Sequence, residues 1–216
     1  MQKALQKVFS LFIKTNPPRK GGLHKNRAQS LVEVAIAFPI LIVLFSGVVE
    51  FGFIINYYLS LLDATREAAR VYSTGDPYLT GTTTDNPDFY YQAAYAVQKA
   101  LDPSVVASTY KGRRIPLNSA VDDVIVTVYS AAGNTVTSRP SGGPYHLFSN
   151  GKYSSIFNAT DIMNTRIAGA PNAGILLVEV HYNYHQVLAL PWMTAILPNP
   201  LPLRAYTIMP IRAAEP

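Results

Sequence analysis

The 216-residue chain has 18 Lys or Arg, 13 Asp or Glu and no cysteine, which excludes disulfides, thiolate metal sites and cysteine catalysis together. Its pI of 9.3 suggests a nucleic-acid binder, but seven of the bases (Lys3, Lys7, Lys14, Arg19, Lys20, Lys25 and Arg27) fall within residues 1–30, which hold no acid. The other residues carry eleven bases against thirteen acids, so the basicity belongs to a tail, and no nucleic-acid partner is expected.

Such a length allows one medium domain plus an anchor. Without disulfides the domain must rely on an apolar core, and 49% hydrophobic composition with 14 Tyr and 9 Phe supplies the material. At the start of the chain, Leu5, Val8, Phe9 and Phe12 recur at helical spacing with Lys3, Lys7 and Lys14 between them. That pattern makes either a basic amphipathic helix lying on an anionic leaflet or a plain basic leader that sets topology. Asn16–Gly22, NPPRKGG, then breaks any helix.

Leu31–Val49 reads LVEVAIAFPILIVLFSGVV, nineteen residues with one charged side chain, Glu33. At 1.5 Å per residue this makes about 28 Å of helix, close to the roughly 30 Å hydrocarbon core of a bilayer. A secretory signal has an apolar region of only about 7–15 residues, so a retained anchor is expected. Seven bases precede the segment and DATREAAR follows it. The positive-inside rule therefore predicts a cytoplasmic N-terminus and an extracytoplasmic C-terminal part in the cytoplasmic membrane. Enzymes that need cytosolic ATP or NAD become poor candidates.

Three residues of this helix stand out. Glu33 is costly in hydrocarbon unless paired, so it either has a specific partner or snorkels to the headgroups. Pro39 removes the bond to the Ala35 carbonyl and predicts a kink, although proline is also ordinary in membrane helices. Glu50 follows Glu33 by seventeen residues, about 100° short of five full turns, so the two do not share a face. It is expected at the outer interface, either solvated or bonded to a Lys or Arg of a partner helix.

The helix is expected to continue through FGFIINYYLSLL to a stop near Tyr72–Gly75, where STGDP supplies the Gly and Pro of a boundary. Leu59, Leu62, Arg66, Ala69 and Arg70 fall near one another on helical spacing, Glu67 and Arg70 form an i, i+3 pair, and Ala64, Ala68 and Ala69 let another surface approach closely. Counted from Ala28 to Ser73, the rod spans roughly 70 Å.

Residues 76–88 are turn-rich. Asp85, Asn86 and Asp88 match no calcium loop, and Asp88 is expected to cap a short helix, FYYQAAYAVQKALD, whose Tyr91, Ala94, Tyr95 and Gln98 follow a core-facing i, i+3, i+4, i+7 pattern. Val124, Val126 and Val128 alternate with Ile125, Thr127 and Tyr129, and a turn at 131–134 leads toward Thr135–Thr137 as a hairpin. A longer strand places Leu176, Val178, Val180, Tyr182 and Tyr184 on a core face and Glu179, His181, Asn183 and His185 on a wet one. A third strand is expected at Leu203–Ile211. The Ser/Gly/Pro-rich loop from Ser138 to Ser155 reads as an exposed contact surface. On a strand, His181 and His185 lie roughly 13 Å apart, too far to share one metal ion. Phosphate-loop, nucleophile-elbow and zincin motifs are missing, so neither catalysis nor a cofactor is expected.

RAQSLVEVAIAFPILIVLFSGVVEFG followed by NYYLSLLDATREAARVYSTG resembles the N-terminal signature of the TadE-like pilus assembly family, over about residues 27–75. A Q-S-L-V-E entry, an apolar run with one proline, an E-F-G after it and an A-x-R-E-A-A-R close carry the resemblance together. It implies cleavage by a prepilin peptidase between Ala28 and Gln29, which leaves Glu33 at the fifth mature position. Ala28 stands where such proteins usually have glycine. The resemblance also implies that Glu33 pairs with the N-terminal amine of a neighbouring subunit, and that the weak point at Pro39 lets the helix bend during assembly.

The expected fold is α+β: a basic cytoplasmic leader over 1–28, a transmembrane and stalk helix over 29–75, and an extracytoplasmic pilin-like domain with a short helix and an antiparallel sheet over 76–216. The expected role is that of a minor pilin or pseudopilin of a Tad-type pilus, adherence or secretion apparatus. Its expected partners are other pilin-like subunits, the prepilin peptidase, the inner-membrane assembly platform and the lipid bilayer. A membrane-tethered extracellular binding module is the alternative.

Overall fold

A computed structural model describes residues 23–133, 135–165 and 172–215. The leader expected at 1–28 falls outside these, apart from its last six residues. By internal contacts the chain divides into two units, one ending at Ser46 and one spanning Gly47–Pro216. Helix α1, Leu23–Tyr72, contributes to both and contains Pro39 in its interior.

In the first unit α1 has no polar face. Leu31, Val34, Ile36, Phe38, Leu44 and Phe45 are each more than half exposed. A helix that is apolar all round and unburied suits lipid rather than water. Its apolar window reaches a mean hydropathy of 2.5, so the helix is long and apolar enough to cross a membrane.

The second unit is α+β. After α1 come α2 (Pro87–Leu101), β1 (Asp123–Ala132), β2 (Thr135–Arg139), β3 (Tyr145–His146), α3 (Ala159–Thr165), β4 (Asn172–Tyr184), α4 (Pro191–Thr194) and β5 (Leu201–Pro210). The strands form one antiparallel sheet in the order β2-β1-β4-β5, with β3 pairing the other end of the β1 edge. The predicted hairpin is present, Ala132 opposite Thr135, and Gly133 takes the positive φ of +59° that so tight a turn requires. The third predicted strand is present as β5.

One sheet face is built from the predicted valine alternation. Val124 opposes Val180, Val126 opposes Val178 and Val128 opposes Leu176, and all six are fully buried against α2 and the outer turns of α1. The small residues Ala64, Ala68 and Ala69 are buried there, so the surface they admit is the chain's own domain. Glu67 and Arg70 pair at 2.7 Å on the exposed side of α1.

Three expectations are corrected. The cap of α2 is Asn86, whose side chain accepts from the Asp88 N–H, with Pro87 in the first turn. The core face of α2 is Tyr90, Ala93, Ala94, Val97 and Leu101. The Tyr91 and Tyr95 rings instead stack on each other near the surface, with Lys99 over Tyr95. Both faces satisfy helical spacing, and burial of the small pair Ala93 and Ala94 lets the helix approach the sheet closely.

The third correction concerns the first part of the expected wet face of β4: Glu179 is fully buried and His181 is 4% exposed, whereas Asn183 is half-buried and His185, just past the strand, is exposed as expected. The segment expected to be an exposed contact loop folds over this face instead. Ser155 Oγ and the Ile156 N–H donate to Glu179, and Tyr153 stacks on His181 at 4.5 Å. Nearby, Asn150 donates to the Asp122 carbonyl, the Phe148 N–H donates to Asp123, and Asn183 donates to the Asp122 carboxylate. Buried carboxylates hold the loop down by accepting backbone donors that would otherwise be orphaned.

Candidate functional site

Of the three glutamates of α1, Glu33 and Glu50 occupy opposite environments. Glu33 lies in the exposed apolar unit, and its Oε1 accepts from Gln29 Nε2 one turn earlier at 3.2 Å. Ala28 lies within the first turns of α1 and Pro39 in its interior. The processing positions Ala28 and Gln29, the assembly position Glu33 and Pro39 therefore sit on one helical segment, whose large side chains from Leu31 to Phe45 are exposed among the described residues, whereas the other assembly position, Glu50, lies in the second unit.

Glu50 is fully buried, contrary to its expected place in solvent or against a partner's base. Its Oε1 accepts from Tyr184 Oη at 2.6 Å and from the Val187 N–H at 2.9 Å, and its Oε2 accepts from the Leu188 N–H at 2.9 Å. These donors come from residues 134–138 positions away in the chain, at the end of β4 and the loop after it. Both oxygens are used by the chain itself. Three donors in a dry setting make a strong clamp, because each would cost roughly 1–3 kcal/mol if left unpaired.

Tyrosines line the path from this clamp up the helix. Tyr57 of α1 meets Tyr184 edge-on at 5.0 Å and stacks on Tyr182 at 6.0 Å. Further along α1, Thr65 Oγ1 and Thr207 Oγ1 are 3.0 Å apart. Burial, helped by Tyr57, pushes the Tyr182 hydroxyl up to about 12, and burial with the bond to Glu50 raises Tyr184 further. These folded-state values lie above the unfolded one, so the stability these tyrosines contribute is complete below about pH 10 and is lost as pH climbs through the folded values. A phenolate absorbance titration should show Tyr182 and Tyr184, with Tyr72, Tyr90, Tyr129 and Tyr145, which burial raises likewise, ionising above the ordinary tyrosine value, together with loss of helical circular dichroism. Ionisation of every tyrosine in one early step would contradict the packing.

Neither the Glu50 clamp nor the Glu179 anchor was found from the sequence. Glu179 did leave a signal: it interrupts the run LLVEVHY at a position whose neighbours alternate correctly for a core strand. Among the described residues, no group of three His, Asp or Glu side chains could hold a metal ion.

Residues 28–70 match the family model described as TadE-like protein. Over those residues the chain is similar to the TadE-like family. The match runs from the predicted cleavage position to the Arg70 that pairs with Glu67, and so includes Glu33, Pro39 and Glu50. Comparison with curated proteins and with solved structures found no match for the chain. The family match stops at residue 70, ahead of α2 and the sheet.

Proposed function

We propose that this chain is a membrane-anchored, non-catalytic minor pilin or pseudopilin that acts in assembly of a Tad-type pilus or of a related adherence or secretion apparatus. The observation that carries the reading is the TadE-like segment at 28–70, realised as a helix whose apolar side chains are left bare from Leu31 to Phe45. Such a helix requires lipid or other helices around it. In this reading the basic N-terminal residues stay in the cytoplasm, Gly47–Pro216 stands outside, and a prepilin peptidase cuts between Ala28 and Gln29. Glu33 then meets the new N-terminal amine of a neighbouring subunit, Pro39 loosens the helix for transfer out of the bilayer, and the assembly platform is the site of that transfer. Glu50 acts in assembly through its own domain, by holding the loop after β4 against the stalk.

N-terminal sequencing of the chain recovered from membranes and from sheared filaments tests this. A start at Gln29 is expected in both. Residues upstream of Gln29 in assembled material would remove the pilin-like reading and leave the tethered binding module, in which the helix is only an anchor.

A further inference from the structure

The β4–β5 connection combines features that nothing above explains. Residues 186–203, QVLALPWMTAILPNPLPL, contain no charged side chain, and His185 and Arg204 bracket the run. Its apolar groups are unusually bare: Ile196 is 78% exposed, Val187 50% and Trp192 37%. Four prolines and the short helix α4 rule it out as a spanning segment.

Its position along α1 follows from the contacts already described. Thr207, which pairs with Thr65, lies opposite Val178 in the β4–β5 ladder. Tyr182 and Tyr184 meet Tyr57, and Tyr184, Val187 and Leu188 meet Glu50. Strand β4 thus descends the helix from Thr65 to Glu50, the loop turns there, and β5 climbs back from Leu201, opposite Tyr184. Glu50 is the residue that directly follows the nineteen-residue apolar run. The uncharged loop is therefore pinned beside the residue that ends the apolar run, and a largely apolar groove next to the clamp is lined by Val49, Phe53, Tyr57 and Val187, with Asn56 and Arg113 on its wall.

We infer that residues 187–197 form a second membrane contact: a loop seated in the bilayer interface beside the exit of α1, with Val187, Trp192 and Ile196 among the acyl chains. The occupant is the lipid surface. Interfacial seating suits tryptophan, whose ring is apolar with one polar N–H, and a loop without charge meets no desolvation penalty there. The loop and the second unit's own part of α1 then meet the membrane together. Glu50 is what keeps the two at one height.

This inference rests on the reading of 31–49 as a membrane span. Trp192 is the only tryptophan in the chain, so its fluorescence reports the loop alone. The full chain would be reconstituted into phosphatidylcholine–phosphatidylglycerol vesicles with and without bromine on the acyl chains, and titrated separately with aqueous iodide. Brominated lipid should quench Trp192 by roughly half, as expected for a group at interfacial depth, while iodide has little effect. Ile196→Asp should weaken the bromolipid quenching and raise the iodide quenching, with unchanged helical circular dichroism. Strong iodide quenching without bromolipid quenching would overturn the loop's seating. Shielding from both quenchers that disappears when the protein is diluted in lipid would overturn it in favour of a second copy. Alkaline carbonate treatment separates the two readings: a chain that washes off the vesicles fails as a membrane span, whereas one that stays with an iodide-accessible Trp192 fails only in the loop.

Discussion

Glu50→Ala should lower the thermal midpoint of the detergent-solubilised chain by about 10 °C. The change strands Tyr184 Oη and the N–H groups of Val187 and Leu188. With partial rescue by water, a loss of about 3 kcal/mol is expected, and each kcal/mol moves the midpoint of a domain this size by roughly 2–4 °C. Glu50→Gln should fall between, since one oxygen can still accept from Tyr184 and Val187 while the amide nitrogen faces the Leu188 donor. Tyr184→Phe supplies the coupling test, because it should cost less in the Glu50→Ala background than alone. Circular dichroism melts give all four values, and limited proteolysis should show new cleavage within 185–200 in the Ala variant. An unchanged midpoint would mean that the carboxylate does not hold the loop.

Glu33→Ala should abolish filaments while leaving chain level, membrane retention and the thermal midpoint as they are. Among the described residues Glu33 accepts a hydrogen bond from Gln29 of its own helix, so its removal strands no partner from the domain and makes membrane insertion easier. Its expected partner is a charge on another subunit. A charge-assisted bond of about 1.5–3 kcal/mol per contact corresponds to a roughly ten- to hundredfold weaker addition of each subunit. Repeated along a filament, that is a loss of assembly. Glu33→Gln keeps the shape and the hydrogen-bonding reach without the charge, so it should fail as well. Electron-microscopic counts of filaments, with immunoblots of membrane fractions, decide the matter: normal assembly in the Ala variant would sink the polymerising role, and normal assembly in the Gln variant alone would sink the charge pairing.

The contrast between Glu33 and Glu50 divides the TadE-like segment into two parts. Its first part, around Glu33, is apolar and bare, as the proposed role in the membrane requires. Its later part, from Glu50 to Arg70, is committed inward through Glu50, Leu61, Ala64, Ala68 and Ala69. A substitution in the first part should change assembly with the fold intact, and one in the second should change the fold.

The apolar rod, the valine hairpin and the β5 strand were legible in the chain because each depends on local rules. A lipid span needs only length and hydropathy, a strand face only period-two alternation, and a helix end only its Gly and Pro. The sequence by itself therefore determined the long apolar helix, the α+β class and which residues share a face. Tertiary structure alone decided what covers each face. Helical spacing allowed two apolar stripes on α2, and packing against the sheet chose the one with Ala93 and Ala94. Alternation in β4 marked Glu179 and His181 as the opposite face without revealing that Ser155, Ile156 and Tyr153 close over it. Glu50 read as an interfacial charge because its donors lie more than 130 residues away, and a buried carboxylate is told from a solvated one only by the groups that surround it.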